Sequence, residues 1–489
     1  MQYPYQLDYA EGYVAVESWQ LSRGESIYPS LEDYPCLVGN YPPLYPLVCA
    51  PFFLLFGPSL FWGRLICALS ALGICAVMII VMGKREGWFL PVVLSPALFL
   101  CTYELYEWIG YARVDLPAIF LSLLGLAFLS GELTKSRLRL ALVCFVLSIF
   151  TKQVQIIAPA SACVYLVWKD RKTGLRFTAW FLGLVLGIFL LLNLLTRGQY
   201  YKHTVLYNAN IYDWWQLGNV WLRHIFRFYL FYLSSILIVG ATVVYRWICA
   251  RKRQGAFPIP DLFSIYAILG ALSFFTIGKV GAASNYLLEF HVALGLFFGL
   301  NIARIGDLSR MSFTRSVQIS LIVILGVLIH LHALYVVKTY PLLFSRPNPH
   351  KQDFAKGNKM LDIVGDFPDP ILCEQPIFLL LSGKKILFQP FIMSELQKEG
   401  KWNQQRFVDD LKQRRFSLIV TGQDVRNTGH FWQYTREMIQ AIREQYTPLL
   451  NENSPWKAAL ESPSGGIPYF IYKPKSGNHV ERTSEPVTK

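Results

Sequence analysis

Two carboxylates, Asp8 and Glu11, stand three residues apart in the segment Asp8-Tyr9-Ala10-Glu11-Gly12, in a polar and aromatic stretch that precedes the first long apolar run. Carboxylates so spaced can supply a general base and a partner that orients it. They can equally solvate a loop and cap a helix. Arg113 and Asp115 flank Val114 just before another apolar run. Lys152 and Gln153 interrupt a third run, and Lys279, Asn285, Tyr286 and Glu289 gather before a fourth. Each has an ordinary reading as well. Asp115, two residues before Pro117, fits a helix start; Lys152 fits a snorkelling anchor; Asn285 and Glu289 fit a polar cap. His291 beside Phe290 reads as a packed histidine. The first stretch ends in the rigid step Tyr41-Pro42-Pro43. It reads as the catalytic loop of a membrane enzyme whose active site faces away from the cytoplasm.

The elements that must hold these residues are mostly apolar. Of 489 residues, 53% are hydrophobic and 16% charged, against roughly 25% charged in soluble domains, and mean hydropathy is +0.34. Runs near the ~20 residues needed to cross a bilayer recur. The net charge of +14 does not indicate nucleic-acid binding, because the Lys and Arg fall mainly in short loops between apolar runs, where topology explains them. The nine cysteines show no metal-type spacing, and most sit in apolar runs as small hydrophobes. Met1 is followed by polar residues, so no cleavable signal peptide is expected.

Residues 11–26 suggest an amphipathic helix at the membrane interface, ended by Gly24. Residues 46–56, stopped by Gly57-Pro58, are too short to span and suggest a re-entrant or interfacial helix. Expected spans are about 62–82, 88–105, 116–131, 139–156, 157–168, 177–196, 226–246, 258–278, 287–303 and 316–337. The stretch 139–168 is split at Lys152-Gln153, because a Lys and two Gln are expensive in mid-bilayer. With the loop 83–87 cytoplasmic, alternation places 134–139, 169–176, 246–253 and 304–315 inside, all rich in Lys and Arg. Asp8, Asp115, Lys152, Asn285 and Glu289 then share the outer side.

After about residue 338 the composition changes. A Pro-rich linker leads to short strand-like runs in DPILCE, KKILFQPF, FSLIVTG and YFIYK, with helical runs at 404–414 and 430–446. The expected organisation is a catalytic loop with an interfacial helix over 1–45, a transmembrane domain over 46–337, a small extracytoplasmic α/β domain over 338–475, and a disordered tail over 476–489.

In this order the motifs resemble the GT-C superfamily of integral membrane glycosyltransferases, in particular bacterial relatives of the protein O-mannosyltransferases and aminoarabinose transferases. The matching segments are Asp8-Tyr9-Ala10-Glu11-Gly12, Tyr41-Pro42-Pro43-Leu44-Tyr45-Pro46 with Leu55-Phe56-Gly57, and Arg113-Val114-Asp115-Leu116, followed by Thr151-Lys152-Gln153 and Asn285-Tyr286-Leu287-Leu288-Glu289. They cover about the first 300 residues. Members of that superfamily carry a transmembrane helix ahead of the acidic loop, whereas this sequence starts within the loop, so a start upstream or an unusual member is expected.

The resemblance implies a polytopic helical fold of about ten spans in a bacterial plasma membrane. It also implies transfer of one sugar from a polyprenyl-phosphate donor to a lipid, glycan or protein acceptor. Asp8 would be the base, with Glu11 orienting it or the acceptor and Asp115 sharing the acceptor or positioning a cation. The leaving phosphate needs positive charge, for which Arg113, Lys152 and Lys279 are the candidates. Tyr41, Gln153, Asn285, Tyr286 and Glu289 would read sugar or acceptor hydroxyls. No cofactor is demanded; the paired acids permit a divalent metal, but no ligand spacing requires one. Two other classes fit the composition: a transporter or flippase of a lipid-linked sugar, and a non-catalytic sensor or assembly protein. A transporter should carry ionisable groups deep in its spans and pseudo-symmetric halves, which this sequence lacks.

Overall fold

The computed structural model describes residues 2–86, 89–219, 261–310, 349, 351–427, 433–451, 454–461 and 468–476. The expected spans 226–246 and 316–337 lie outside the described residues. The chain divides into two compact units, one of residues 1–28 and 38–347, the other of residues 29–37 and 348–489.

The first unit is helical. Asp8 caps helix α1, Tyr9–Ser22, accepting from the Ala10 N–H at 3.0 Å. The helix stops at Gly24, whose φ of 74° suits a residue without Cβ. Residues Glu11 to Ser18 are buried without interruption. A continuous buried run covers every face of a helix, so α1 is a packed core helix and not the amphipathic interfacial one expected over 11–26. Helix α2, Leu44–Phe56, ends at Gly57 and packs against α1. Its thirteen residues reach about 20 Å, short of a bilayer crossing.

Helix α3, Leu60–Glu86, is followed by α4, Phe89–Leu100, and the short α5, Tyr103–Trp108. The expected span 88–105 thus breaks at Cys101-Thr102. Helix α6, Asp115–Leu129, packs against α7, Lys135–Thr151. The close approach depends on Gly125, where a Cβ would fall 2.5 Å from the Phe145 ring. Helix α7 ends at Lys152, and α8, Ile157–Lys169, begins after a short irregular turn. Helix α9, Arg171–Leu195, leads into α10, Gln199–Tyr201, and a π-helical turn over Lys202–Leu206. Helix α11, Leu262–Ala271, tightens into a 3-10 turn over Leu272–Gly278, where a helix through to 278 was expected. A second 3-10 turn, Ser284–Leu287, opens α12, Leu288–Arg310.

Among the described residues, Leu60–Lys84 and Arg171–Leu195 are long and apolar enough to cross a membrane. Helix α9 leaves much of its apolar surface uncovered, with Trp180, Leu182, Leu186 and Leu194 all exposed. Such a face in a folded chain belongs in lipid or under another apolar surface.

The second unit holds a four-stranded sheet. Its strands are β1, Ile371–Cys373; β2, Leu418–Thr421; β3, Tyr446–Pro448; and β4, Phe470–Pro474, in the order β1-β2-β4-β3. Strands β1 and β2 run parallel, and β4 pairs antiparallel with β2 and β3. Helices α13, Lys351–Asp366, α16, Gln405–Lys412, and α17, Arg436–Gln445, accompany it, and the shorter α14, Pro376–Leu381, and α15, Pro390–Lys398, lie between α13 and α16 in sequence. KKILFQPF forms no strand. It contributes only a single bridge, Phe388 to Cys36, with Phe388 stacked on Phe407 at 3.7 Å. Residues 29–37, expected to belong to the N-terminal loop, are part of this unit. The Cys36 N–H donates to Leu387 O at 2.8 Å, and Tyr34 Oη donates to Asp410 at 2.8 Å. Backbone pairing across some 350 residues is invisible to local pattern.

Candidate active site

The two acids of the first stretch have different surroundings. Glu11 is fully buried. Its Oε1 accepts from Arg64 Nε at 2.9 Å and from the Ala112 N–H at 2.7 Å; its Oε2 accepts from Arg64 Nη2 at 3.0 Å and from the Leu7 N–H at 2.8 Å. Arg64, at the start of α3 and also fully buried, donates in addition to Tyr3 O and Tyr5 O. Glu11 therefore ties the N-terminal segment, α3 and the segment before α6 into one joint, and it places Ala112, the neighbour of Arg113, beside α1. Asp8 keeps a side chain 22% exposed. Its Oδ2 accepts from Arg113 Nη1 at 2.8 Å as well as from its own cap N–H. Burial raises the Asp8 carboxyl above its ordinary pKa; Arg113 opposes this, and the charge of Glu11 adds to it.

Arg113 is the hinge of a charged row. Nη2 donates to Tyr41 Oη at 3.2 Å, Nε lies 3.5 Å from Asp115 Oδ2, and the guanidinium sits 5.2 Å from the Trp108 ring centroid. Its backbone is held by Cys67 of α3, whose Sγ donates to Arg113 O at 2.9 Å. The Tyr41 hydroxyl is pushed up to about 12, by burial against the opposing charge of Arg113. Asp115, the first residue of α6, accepts on Oδ1 from Lys152 Nζ at 2.6 Å and from Asn285 Nδ2 at 2.7 Å. Lys152 also lies over the Tyr286 ring at 4.4 Å. The order Asp8–Arg113–Asp115–Lys152 alternates in sign, and side-chain exposure is 22% and 11% at the Asp8 end against 1% and 6% at the Lys152 end.

The other expected residues sit around this row in different ways. Glu289 accepts from the Ala158 N–H at 3.2 Å, so it caps the start of α8. Gln153 donates to Asn40 O at 2.7 Å. Lys279 donates to Asn208 Oδ1 at 2.9 Å and lies one step removed from the row. Among the described residues no group of three or more His, Cys, Asp or Glu side chains is arranged to hold a metal ion. Sequence reasoning passed over Arg64, Cys67, Trp108, His203 and Asn208. Arg64 alone carried a usable signal, an ionisable residue inside a long apolar run.

A row of largely buried charges of alternating sign thus joins the first and second polar segments of a mostly helical unit. Residues 40–272 match the model of glycosyltransferase family 87. Similar solved structures include ArnT from Cupriavidus metallidurans bound to undecaprenyl phosphate, at 14% identity and a TM-score of 0.56, over 96% of this chain and 94% of that one. The apo state of the same ArnT is similar at 13% identity and a TM-score of 0.54, with the same coverage. No curated protein sequence matches the chain. At these identities the structures show the fold.

Proposed function

We propose that the protein transfers a sugar from a polyprenyl-phosphate-linked donor to an acceptor hydroxyl on the extracytoplasmic face, with inversion, and that Asp8 is the general base. The observation that carries this is the 2.8 Å pair of Asp8 with Arg113, in which the most exposed acid of the row meets the most exposed cation. In the free chain Arg113 neutralises Asp8. A donor phosphate competes for the same guanidinium, and drawing Arg113 toward it leaves the Asp8 carboxylate free to accept a proton. The acceptor oxygen then attacks the anomeric carbon from the face opposite the phosphate, its proton passes to Asp8, and the bond to phosphate breaks with its electron pair on the phosphate, which Arg113 stabilises. The undecaprenyl phosphate held by the similar ArnT supports a lipid-phosphate donor.

Asp115 anchors Lys152 and Asn285 and sets the far side of Arg113. Tyr41, Asn285 and Tyr286 would read sugar hydroxyls, while Gln153, Glu289, Lys152 and Lys279 would support the walls. About ten spans in a bacterial plasma membrane, with the 338–475 region outside and engaged in acceptor binding, complete the reading.

The test is sugar transfer in membranes holding either the wild-type chain or Asp8→Asn, supplied with a panel of labelled polyprenyl-phosphate sugars. Wild type should consume one donor and Asp8→Asn none at equal expression. Equal consumption by both would remove Asp8 as base and leave Asp115 as the next candidate.

A further inference from the structure

The segment between Tyr28 and Tyr41 re-enters the first unit at Val38, and its next residues are held by side chains from distant parts of that unit. The Gly39 N–H donates to His203 Nδ1 at 3.0 Å. Asn40 O accepts twice, from Gln153 Nε2 at 2.7 Å and from Asn208 Nδ2 at 3.0 Å, which uses both lone pairs of the carbonyl. Tyr41 O accepts from Tyr28 Oη at 2.8 Å. The backbone of three consecutive residues is thus fixed from outside, and the next group along is the Tyr41 hydroxyl that meets Arg113.

The holding residues come from an unusual piece of backbone. The π-helical turn Lys202–Leu206 closes with the Tyr207 N–H donating to Lys202 O at 2.7 Å. Such turns insert one residue into a helix and re-aim its side chains. Here His203 and Thr204 are buried, whereas Val205 and Leu206 are exposed, so the polar pair is turned inward and the apolar pair outward. The His203 ring packs edge-on against Tyr28 at 5.6 Å and Tyr207 at 5.4 Å. Asn208, just past the turn, is oriented by Lys279. Room is minimal, since a Cβ on Gly39 would fall 2.7 Å from Ile27 O and 2.9 Å from the Tyr28 ring.

We infer that His203 and Asn208, with Gln153, are positioning residues that clamp Gly39-Asn40 so that Tyr41 keeps Arg113 in register with Asp8. The inference rests on the proposed role of Asp8. The clamp touches neither the proposed base nor the guanidinium. It acts through the peptide, and it gives Lys279 the task of orienting Asn208.

The experiment uses the full chain in lipid nanodiscs, with the polyprenyl-phosphate sugar that wild type consumes as substrate and labelled undecaprenyl phosphate as binding probe. His203→Phe keeps the ring and loses the acceptor; His203→Asn restores an acceptor near the position of Nδ1; Asn208→Ala removes one donor to Asn40. Loss of alignment by an ångström costs up to about 100-fold in rate. We therefore expect kcat to fall about 10- to 100-fold in His203→Phe and Asn208→Ala, with KM and undecaprenyl phosphate binding within about twofold and substantial rescue in His203→Asn. Combining His203→Phe with Tyr41→Phe should lower kcat no further than Tyr41→Phe alone, because both act through one group. Wild-type kcat in both His203→Phe and Asn208→Ala overturns the clamp, as does equal loss in His203→Phe and His203→Asn with a lower melting temperature, which marks a packing role only. An Asp8→Asn control that still transfers sugar overturns the base assignment itself and the inference with it. If that control is inactive while the clamp variants are normal, the inference fails alone.

Discussion

Glu11→Gln and Asp8→Asn make the same chemical change three residues apart, and their surroundings should separate the results completely. Each oxygen of Glu11 accepts one bond from Arg64 and one from a backbone N–H. Whichever way a Gln amide is turned, two of those four bonds are lost, and its NH2 then faces a guanidinium and an N–H. Breaking a buried ion pair on one side costs about 3–5 kcal/mol, and an orphaned buried N–H about 1–3 kcal/mol more. Asp8 is different, because both its bonds fall on Oδ2. An Asn can turn its one oxygen to both donors, and Arg113 keeps Tyr41 and Asp115; a partly exposed pair of this kind contributes about 1 kcal/mol or less. Thermal denaturation of the purified chain in detergent should therefore place Asp8→Asn near wild type, with sugar transfer abolished. Glu11→Gln should melt well below it or accumulate poorly. A Glu11→Gln protein that melts with wild type and transfers no sugar would refute this and make Glu11 part of the chemistry.

The raised Asp8 carboxyl should place the acid limb of kcat/KM above the ~3.9 of an ordinary Asp, with activity gained as pH rises through it. Arg113→Gln, which removes the charge that lowers this pKa, should move the limb further up, and a downward shift in the pH profile would contradict the pairing. In the second unit, burial raises Glu374, at the end of β1, from 4.5 to about 8. The folded state then holds a proton that the unfolded chain releases, so stability falls between about pH 4.5 and 8, with a slope approaching about 1.4 kcal/mol per unit. Hydrogen exchange of the β1 and β2 amides in the full chain should follow that slope and lose it in Glu374→Gln. Gly125→Ala should cost about 1–3 kcal/mol through overpacking against Phe145, read as a lower melting temperature with KM unchanged.

Much of this molecule is written in local pattern. Short apolar runs with their breakers set the ends of α2 at Gly57 and of α7 at the polar step Lys152-Gln153. Runs such as FSLIVTG and YFIYK gave strands β2 and β4, because short apolar runs rich in β-branched and aromatic residues favour a strand within a few residues. The polar residues that form the charged row were also visible, as interruptions that apolar runs tolerate only at their ends.

The tertiary structure alone decided which of these charges meet. Asp8 and Arg113 are 105 residues apart and Glu11 and Arg64 are 53 apart; no periodicity relates them. It also assigned residues 29–37 to the second unit, and it gave Glu11 a fully buried partner where Asp8 received a part-buried one. The physical reason is that a buried charge takes whatever partner packing brings to it. Composition can say that a charge near an apolar run must be paired, while only the packing of distant helices says with what.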